Sequence, residues 1–293
     1  MSTPPGFANL FSAQRPPAAA APARPEGTAV NTQATYIGEH RVLLRNAFSL
    51  KMFVDSRDLS LTPHLILDGT WEMANTQFLR WHLKPGMHFV EVGANVGYYT
   101  LLASQCVGPR GRVIAVEANP HMAKLTRDNL EINGFSAFAE VVQAAAYSEN
   151  TTLPFSCLRD HIASSSLFMT DAYARKLNDS ADVITVDARR LDDIVPAGVR
   201  VDAIKIDAEG AELHCLRGAQ RLLRENPEVV LMLEHSAALV SADGVTSRSA
   251  LYDFCHAAGM KCYRVADQQL LESDFEALDA AGLCDIVCTR KSL

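Results

Sequence analysis

Glu91, Gly93, Asn95 and Gly97 fall in the stretch HFVEVGANVGYYT, residues 88–100. An apolar run holding one acid meets a turn framed by two glycines, and the turn runs into an apolar helical pattern. Strand, tight loop and helix N-terminus in that order expose backbone amides to a small charged ligand. The glycines are spaced GxxxG. A dinucleotide turn needs GxGxxG, because its middle glycine lets the backbone approach a pyrophosphate, and here Asn95 stands in the middle. Glu117 ends the next apolar run, 24 residues after Gly93, where a carboxylate can accept both hydroxyls of a ribose. Together these features favour a cofactor with an adenosine and no pyrophosphate, S-adenosylmethionine rather than NAD or FAD. On this reading Glu91 orients the loop amides or meets the ammonium group, and Gly93 lets the backbone close on the methionine part. Ala118 and Asn119, which follow Glu117, and Ala144 and Ala145, after the third strand, complete the expected wall together with Asp207. The plainer alternative is that the two glycines only make a tight strand-to-helix turn.

A second group of charges can serve the methyl acceptor. Lys205, Asp207, Glu209 and Glu212 stand where a buried strand gives way to its helix. Asp207 at the strand tip is expected to point into the crevice beside the transferring methyl group. Glu212, in the first helical turn, suits a capping or dipole role. Methyl transfer is an in-line displacement, so positioning contributes much of the acceleration, and an aliphatic hydroxyl must also shed its proton to a base within reach. Asp207, Glu209, Glu234 and His235 are the candidates for that base, with a hydrogen-bonded supporting histidine as the alternative for His235. His161 is a further candidate if its segment folds over the acceptor. A divalent ion on Asp207 and Glu234 would be a metal-assisted version of the same chemistry, but no third ligand stands out, so no metal is expected. Trp71 and Glu72 can contact the open side of the cofactor, and core packing is the other reading for Trp71.

The elements that position these residues follow from the hydrophobic pattern. Residues 1–30 are rich in Pro and Ala and read as a disordered tail. Residues 31–85 read as a lead-in with strands at Arg41–Leu44 and Lys51–Asp55 and a helix over Trp71–Leu83. From residue 86 to 293 strands and helices alternate, the pattern of an α/β domain with a mostly parallel sheet. Strands are expected at His88–Val92, Arg112–Glu117, Glu140–Gln143, Val201–Ile206, Val229–Leu233, Met260–Val265 and Asp285–Thr289, the last ones antiparallel at the edge. Helices are expected over Gly97–Cys106, from Pro120 to Ile132, over Gly210–Leu223 and over Ser249–Ala258. Asn119 and Pro120 give the second of these its start, and Asn133 with Gly134 its stop. The segment Ala144–Asp182 reads as an irregular lid or binding loop with a short hairpin at Thr151–Phe155, and Val183–Val186 as a short extended piece.

Composition sets the limits. The chain has 293 residues, 48% of them hydrophobic, which is ample for a buried core. With 34 acids against 27 basic residues and a formal charge of -7, it lacks the basic footprint of a nucleic-acid partner. Seven cysteines without a CxxC pair read as isolated thiols in a reducing compartment. No apolar leader and no run of the roughly 18 apolar residues a membrane helix requires is present, so no integral membrane contact and a cytoplasmic location are expected. Oligomerisation is left open.

The segments EVGANVGYYT, AVEAN, DAIKIDAEGAELHCLRGA and PEVVLMLEH, in this order, resemble the FkbM-type S-adenosylmethionine-dependent methyltransferases. The resemblance spans about residues 65–290, from the Gly69–Glu72 approach onward, and its most specific part is IKIDAEGAE, residues 204–212. The family commonly carries Val where Ala208 stands. The resemblance implies a class I (Rossmann-like) fold, a seven-stranded mostly parallel sheet with helices on both faces. It also implies transfer of methyl to a hydroxyl of a sugar, glycan or polyketide-like small molecule. A non-catalytic module with the same fold, acting as a partner in a biosynthetic assembly, is the alternative, and a nicotinamide oxidoreductase is disfavoured by Asn95.

Overall fold

The computed structural model of the protein describes residues 33–169, 171–236, 246–266 and 269–291. The expected disordered tail and most of the loop after His235 lie outside the described residues. The lead-in is a three-stranded antiparallel sheet of β1 (Ala34–Gly38), β2 (Arg41–Arg45) and β3 (Lys51–Asp55), followed by α1 (Thr62–Leu67) and α2 (Met73–His82). β1 and α1 are additions to the sequence reading. The first four residues of β1 are exposed, so it carries no alternating pattern to read. Trp71 and Glu72 precede α2 rather than open it, Glu72 holding a left-handed φ of 38°.

The domain proper starts with β4 (His88–Val92), α3 (Tyr98–Val107), β5 (Arg112–Glu117), α4 (Pro120–Ile132) and β6 (Ala139–Gln143). α4 begins where expected because the Asn119 side chain accepts from His121 N at 2.9 Å, and Gly134 beyond its end takes φ 73°.

The segment expected to be irregular is ordered. β7 (Ala145–Ala146), β8 (Thr151–Leu158) and β9 (Ala181–Arg189) form a second three-stranded sheet, in which β8 runs antiparallel to β9 from Thr151↔Ala188 to Leu158↔Ala181. No local hairpin forms within Thr151–Phe155, and Val183–Val186 is the middle of a nine-residue strand. The pairing joins segments distant along the chain, and local periodicity is blind to such a partner.

The chain then enters β10 (Ala203–Ile206), α5 (Glu212–Arg217), α6 (Gln220–Glu225), β11 (Val230–His235), α7 (Ala250–Ala257), β12 (Lys261–Ala266), β13 (Gln269–Glu272), α8 (Phe275–Ala281) and β14 (Cys284–Thr289). The main sheet has eight strands in the order β13-β12-β14-β11-β10-β4-β5-β6. β4, β5, β6, β10 and β11 are mutually parallel where they pair, and β14 runs antiparallel to both β11 and β12. The expected α/β sheet is therefore present, with β13 added at its edge as a hairpin partner of β12.

Successive residues of each strand feed opposite faces. Phe89, Val113, Met232 and Val287 join the core under α3 and the lead-in, while Val90, Ile114, Leu231 and Ile286 join the core under α5 and α6. The cysteines are not all isolated. Cys255, Cys262 and Cys288 converge in the second core, with the last two Sγ atoms 2.8 Å apart. Among the described residues no helix is long and apolar enough to cross a membrane.

The single helix expected over Gly210–Leu223 is broken between α5 and α6. At the break a Cβ on Gly218 would lie 2.0 Å from the carbonyl oxygen of Tyr147, so only glycine lets the helix end seat on the start of the second sheet. Gly218→Ala should therefore lower the free energy of unfolding in urea by about 1–3 kcal/mol, the usual cost of overpacking. A change under about 0.5 kcal/mol would mean that this contact does not constrain the fold.

Candidate functional site

The carboxyl ends of β4, β5, β10 and β11 open into one cavity, as expected of a doubly wound sheet. Its wall includes Glu91, Gly93, Asn95, Glu117, Ala118, Asn119, Ala144 and Ala145 on one side, and Trp71, Glu72, Lys205, Asp207, Glu209 and Glu234 on the other. Ser60, Leu61, Phe155 and residues 162–165 close over it. Phe155 and residues 162–165 belong to the segment expected to act as a lid and Ser60 and Leu61 to the lead-in, though none of them stood out individually in the sequence.

The glycine turn is built against its neighbours. Gly93, at φ 78°, has its amide on Val116 O at 2.9 Å, and a Cβ there would meet the Asp207 carbonyl oxygen at 1.8 Å. What Gly93 makes room for is thus the tip of β10, where sequence reasoning had it approach the ligand. Asn95, at φ 51°, donates its amide to Glu117 Oε2 at 2.7 Å, and its carbonyl accepts the Thr126 hydroxyl of α4. Gly97 does not line the cavity. A Cβ there would lie 2.7 Å from Thr126 Cγ2, so this glycine permits the close seating of α3 on α4.

Glu117 is 7% exposed and bridges two strand ends, its Oε1 accepting Asn119 N and its Oε2 Asn95 N, both at 2.7 Å. Burial raises its pKa against those amide bonds. The Ala118 amide bonds the same carboxylate, which leaves it about one lone pair for a ribose hydroxyl. Glu91 is 1% exposed and accepts the Thr100 hydroxyl of α3 rather than a loop amide. Burial pushes its carboxyl up to about 8, against the Thr100 bond and the attraction of Lys205.

Lys205 sits directly opposite Glu91 across β4 and β10. Its Nζ donates to Asp207 Oδ2 at 2.7 Å and lies 4.6 Å from the centre of the Tyr99 ring. Against burial, which acts the other way, the surrounding carboxylates Asp207, Glu72 and Asp285 raise its pKa. Tyr99 in turn donates to Glu72 Oε2 at 2.7 Å, which fastens the entrance to α2 onto the domain. Glu212 caps its own loop, with Oε1 accepting Ala208 N at 2.8 Å and Gly210 N at 3.3 Å. Burial lifts it to about 7.

Glu209 holds a left-handed φ of 50° and faces the cavity, and burial with repulsion from Asp207 and Glu212 raises its pKa. Glu234 Oε2 is buried with no hydrogen-bond partner, and burial with repulsion from Asp207, Glu209, Glu212 and Asp285 raises its pKa strongly. His235 requires a correction. One residue beyond Glu234 on a strand, it faces the opposite side of the sheet, is fully buried in the second core and does not border the cavity. Burial lowers its pKa. His161 is also outside the cavity wall, its Nδ1 lying 3.1 Å from Asp179 Oδ2. Among the described residues no three carboxylates bring oxygens within 4.8 Å of one another, so Asp207 and Glu234 find no third ligand for a shared ion.

Residues 91–258 match the methyltransferase FkbM domain. The chain belongs to the FkbM methyltransferase family. The cofactor of this family member is S-adenosylmethionine. Among curated relatives, a protein-L-isoaspartate O-methyltransferase of Aeropyrum pernix is 44% identical over 59 residues, 20% of this chain and 23% of that protein. Methyltransferase sdnD of Sordaria araneosa is 26% identical over 178 residues, covering 53% of this chain and 66% of its own. The chain thus spans about a quarter of the isoaspartate methyltransferases it matches. A solved O-methyltransferase from Bacillus cereus, in complex with SAH, is 15% identical over 75% of this chain and 81% of that one, at a TM-score of 0.43. The fold assignment rests on the strand order and on the family.

Buried carboxyls in and behind the cavity wall hold their protons to higher pH than usual. Glu91 and Glu212 hold theirs to about 8 and about 7, whereas their ordinary value is 4.5, so the folded chain binds more protons than the unfolded one across that window. Stability accordingly falls as pH rises from about 4.5 to 8. The melting temperature of the ligand-free protein should drop over this range, and Glu91→Gln should flatten part of the drop. An unchanged slope in the variant would place the linkage elsewhere.

Proposed function

We propose that this protein transfers a methyl group from S-adenosylmethionine to a hydroxyl of a sugar, glycan or polyketide-like small molecule. The observation that carries the reading is the pairing, in one cavity, of an adenosine-type wall with unpartnered carboxylates at the ends of the next two strands. Glu117 keeps acceptor capacity for a ribose hydroxyl beyond the three amides it holds, and Glu91 with the turn at Gly93 and Asn95 suits the amino-acid end. Ala118, Asn119, Ala144 and Ala145 offer small or hydrogen-bonding surface beside the base. Asp207 belongs to both walls. The donor set fits a ligand of net positive charge, since among the described residues the lining holds six acids, Glu72, Glu91, Glu117, Asp207, Glu209 and Glu234, and one lysine. The bound cofactor supplies a methyl group made electrophilic by its sulfonium.

The chain's own residues then orient the acceptor and take its proton. Asp207 Oδ2 is engaged by Lys205, which leaves Oδ1 to accept a hydrogen bond from the acceptor hydroxyl and hold its oxygen in line. Glu209, with its carboxyl above the usual range and no partner among the described residues, is the general base. The residues that cover the cavity, Leu61, Phe155 and Ile162, exclude water from the reacting atoms. The same acidic wall speaks against a nucleic-acid acceptor, whose phosphates would be repelled. A non-catalytic module has less support, because a scaffold has no use for buried carboxylates left without partners.

Calorimetry tests the cofactor side. S-adenosylmethionine and S-adenosylhomocysteine should both bind, and Glu117→Ala should weaken binding about tenfold or more by removing charged hydrogen bonds. Absence of binding at about 1 mM of either ligand sinks the reading. For the base, the methyl-transfer rate should rise with pH above the ordinary carboxylate range. Glu209→Gln should lose on the order of 100-fold in kcat and the pH rise with it. A variant that keeps the parent profile would remove Glu209 from the role.

A further inference from the structure

Cys262 and Cys288 occupy directly facing positions of the antiparallel strands β12 and β14. Their free Sγ atoms lie 2.8 Å apart in the core under α5 and α6, and Cys255 of α7 brings a third Sγ within 4.8 Å of both. The backbone accounts for the approach. On its other side Cys262 O accepts Ser273 N at 2.9 Å, in line with the β12–β13 register. The carbonyl and amide of a strand residue point the same way, so Cys262 turns both toward β13 and forms a non-hydrogen-bonded pair with Cys288. In such pairs the Cα atoms lie about 4.5 Å apart and the side chains are closest, within the roughly 4.4–6.8 Å of Cα spacing that a disulfide spans.

Three converging thiols can serve a metal ion or a disulfide. Thiolates on one zinc stand about 3.8 Å apart, given Zn–S bonds of about 2.3 Å in a tetrahedral site. Cys262 and Cys288 are closer than that, and among the described residues no fourth His, Cys, Asp or Glu joins the three. Bonding distance is about 2.05 Å, a short step from where the two sulfurs lie. We propose that Cys262 and Cys288 are a modification site, a dithiol that a low-molecular-weight disulfide such as oxidised glutathione converts to a reversible cross-strand disulfide. Cys262 attacks first. It is 3% exposed where Cys255 and Cys288 are 0%, and hydrogen bonds with those two thiols favour its thiolate. Only β13 lies outside β12, so opening one edge strand admits the reagent. The Cys262 thiolate displaces one thiolate from the external disulfide and forms a mixed disulfide. The Cys288 thiolate then attacks Cys262 Sγ and releases the second. Two electrons pass from the dithiol to the external disulfide, which leaves as two thiols carrying the two cysteine protons. The new bond ties β12 to β14, the strand that lies against β11 and so backs Glu234 in the cavity wall.

Disulfide mapping on the full chain tests this. The reduced, folded protein is incubated with oxidised glutathione or with diamide, quenched with N-ethylmaleimide and digested with trypsin. Residues 262–264 and 265–290 should appear as one linked species, with fragmentation placing the bond on Cys288 rather than Cys284. Dithiothreitol should separate them, and the oxidised protein should have lost two alkylatable thiols. Cys288→Ser should abolish the link, and Cys255→Ser should keep it. A bond that joins Cys255 or Cys284 instead overturns the proposal. So does a link that forms only in urea, a mixed disulfide on Cys262 that never resolves, or no link with either oxidant. Melting curves confirm that each variant is folded before it is scored, and the map of the parent protein decides the question without them.

Discussion

The missing side chain of Gly93 lets the turn after β4 rest on the carbonyl of Asp207 at the end of β10. Asp207 N also bonds Val92 O at 3.1 Å, so the two strand ends are locked to each other at the point where their connections diverge. Cofactor-side and acceptor-side groups share one cavity because of this contact. Any larger residue would push the tips apart and with them Glu91, which faces Lys205 across the same two strands. Glu117 does the equivalent work one strand further on, holding the amides of Asn95 and Asn119 with one carboxylate. A single buried acid thus fixes the shape of the turn and faces the cavity.

The price of that arrangement is a set of carboxyls in a place with little water, where burial resists their ionisation. Glu91, Glu209, Glu212, Glu234 and Asp285 all have pKa values raised first by burial, and Lys205, the one lysine lining the cavity among the described residues, forms its ion pair with Asp207. In an ordinary core such a set would be replaced by apolar residues at a gain in stability. Glu91, Glu209 and Glu234 stand at or just beyond the carboxyl ends of β4, β10 and β11 and line the cavity, which locates the strain where a positively charged ligand can relieve it. Electrostatic preorganisation of this kind costs stability in the free protein and makes the same energy available on binding.

Much of this could be read from the chain. β4 and β5 have the very bounds expected, because each is a short apolar run buried on both faces between clear turn signals. Asn119 and Pro120 started α4, and Glu212 was recognisable as a cap from its place in the first helical turn. Three things could not be read. The β8–β9 ribbon depends on a partner far along the chain, the α5–α6 break on a contact between Gly218 and Tyr147 O, and the orientation of His235 on which strand residue faced the cavity. The last needed only the strand register that the structure supplies. Glu91 and Lys205 pair across β4 and β10, Lys205 pairs with Met232, and two residues on from Met232 is Glu234, so parity selects the glutamate and turns the histidine away.

The lead-in is part of the site's mechanics rather than an appendage to it. Asn129 in α4 accepts Phe53 N at 2.6 Å, donates to Phe53 O at 2.9 Å and reaches Val96 O in the glycine turn at 2.8 Å. Asn133 repeats the tie one turn later on Lys51, and His121 lies 2.7 Å from Asp55 across the same seam. β3 therefore bonds to the helix whose N-terminus Glu117 and Asn119 define, and its path continues to Trp71, Glu72 and the Tyr99 hydroxyl at the cavity mouth. Motion of the lead-in would strain the turn at Asn95 and Val96 and the position of Glu72 together. The opening of the cavity and the shape of its floor are in this way coupled through one helix.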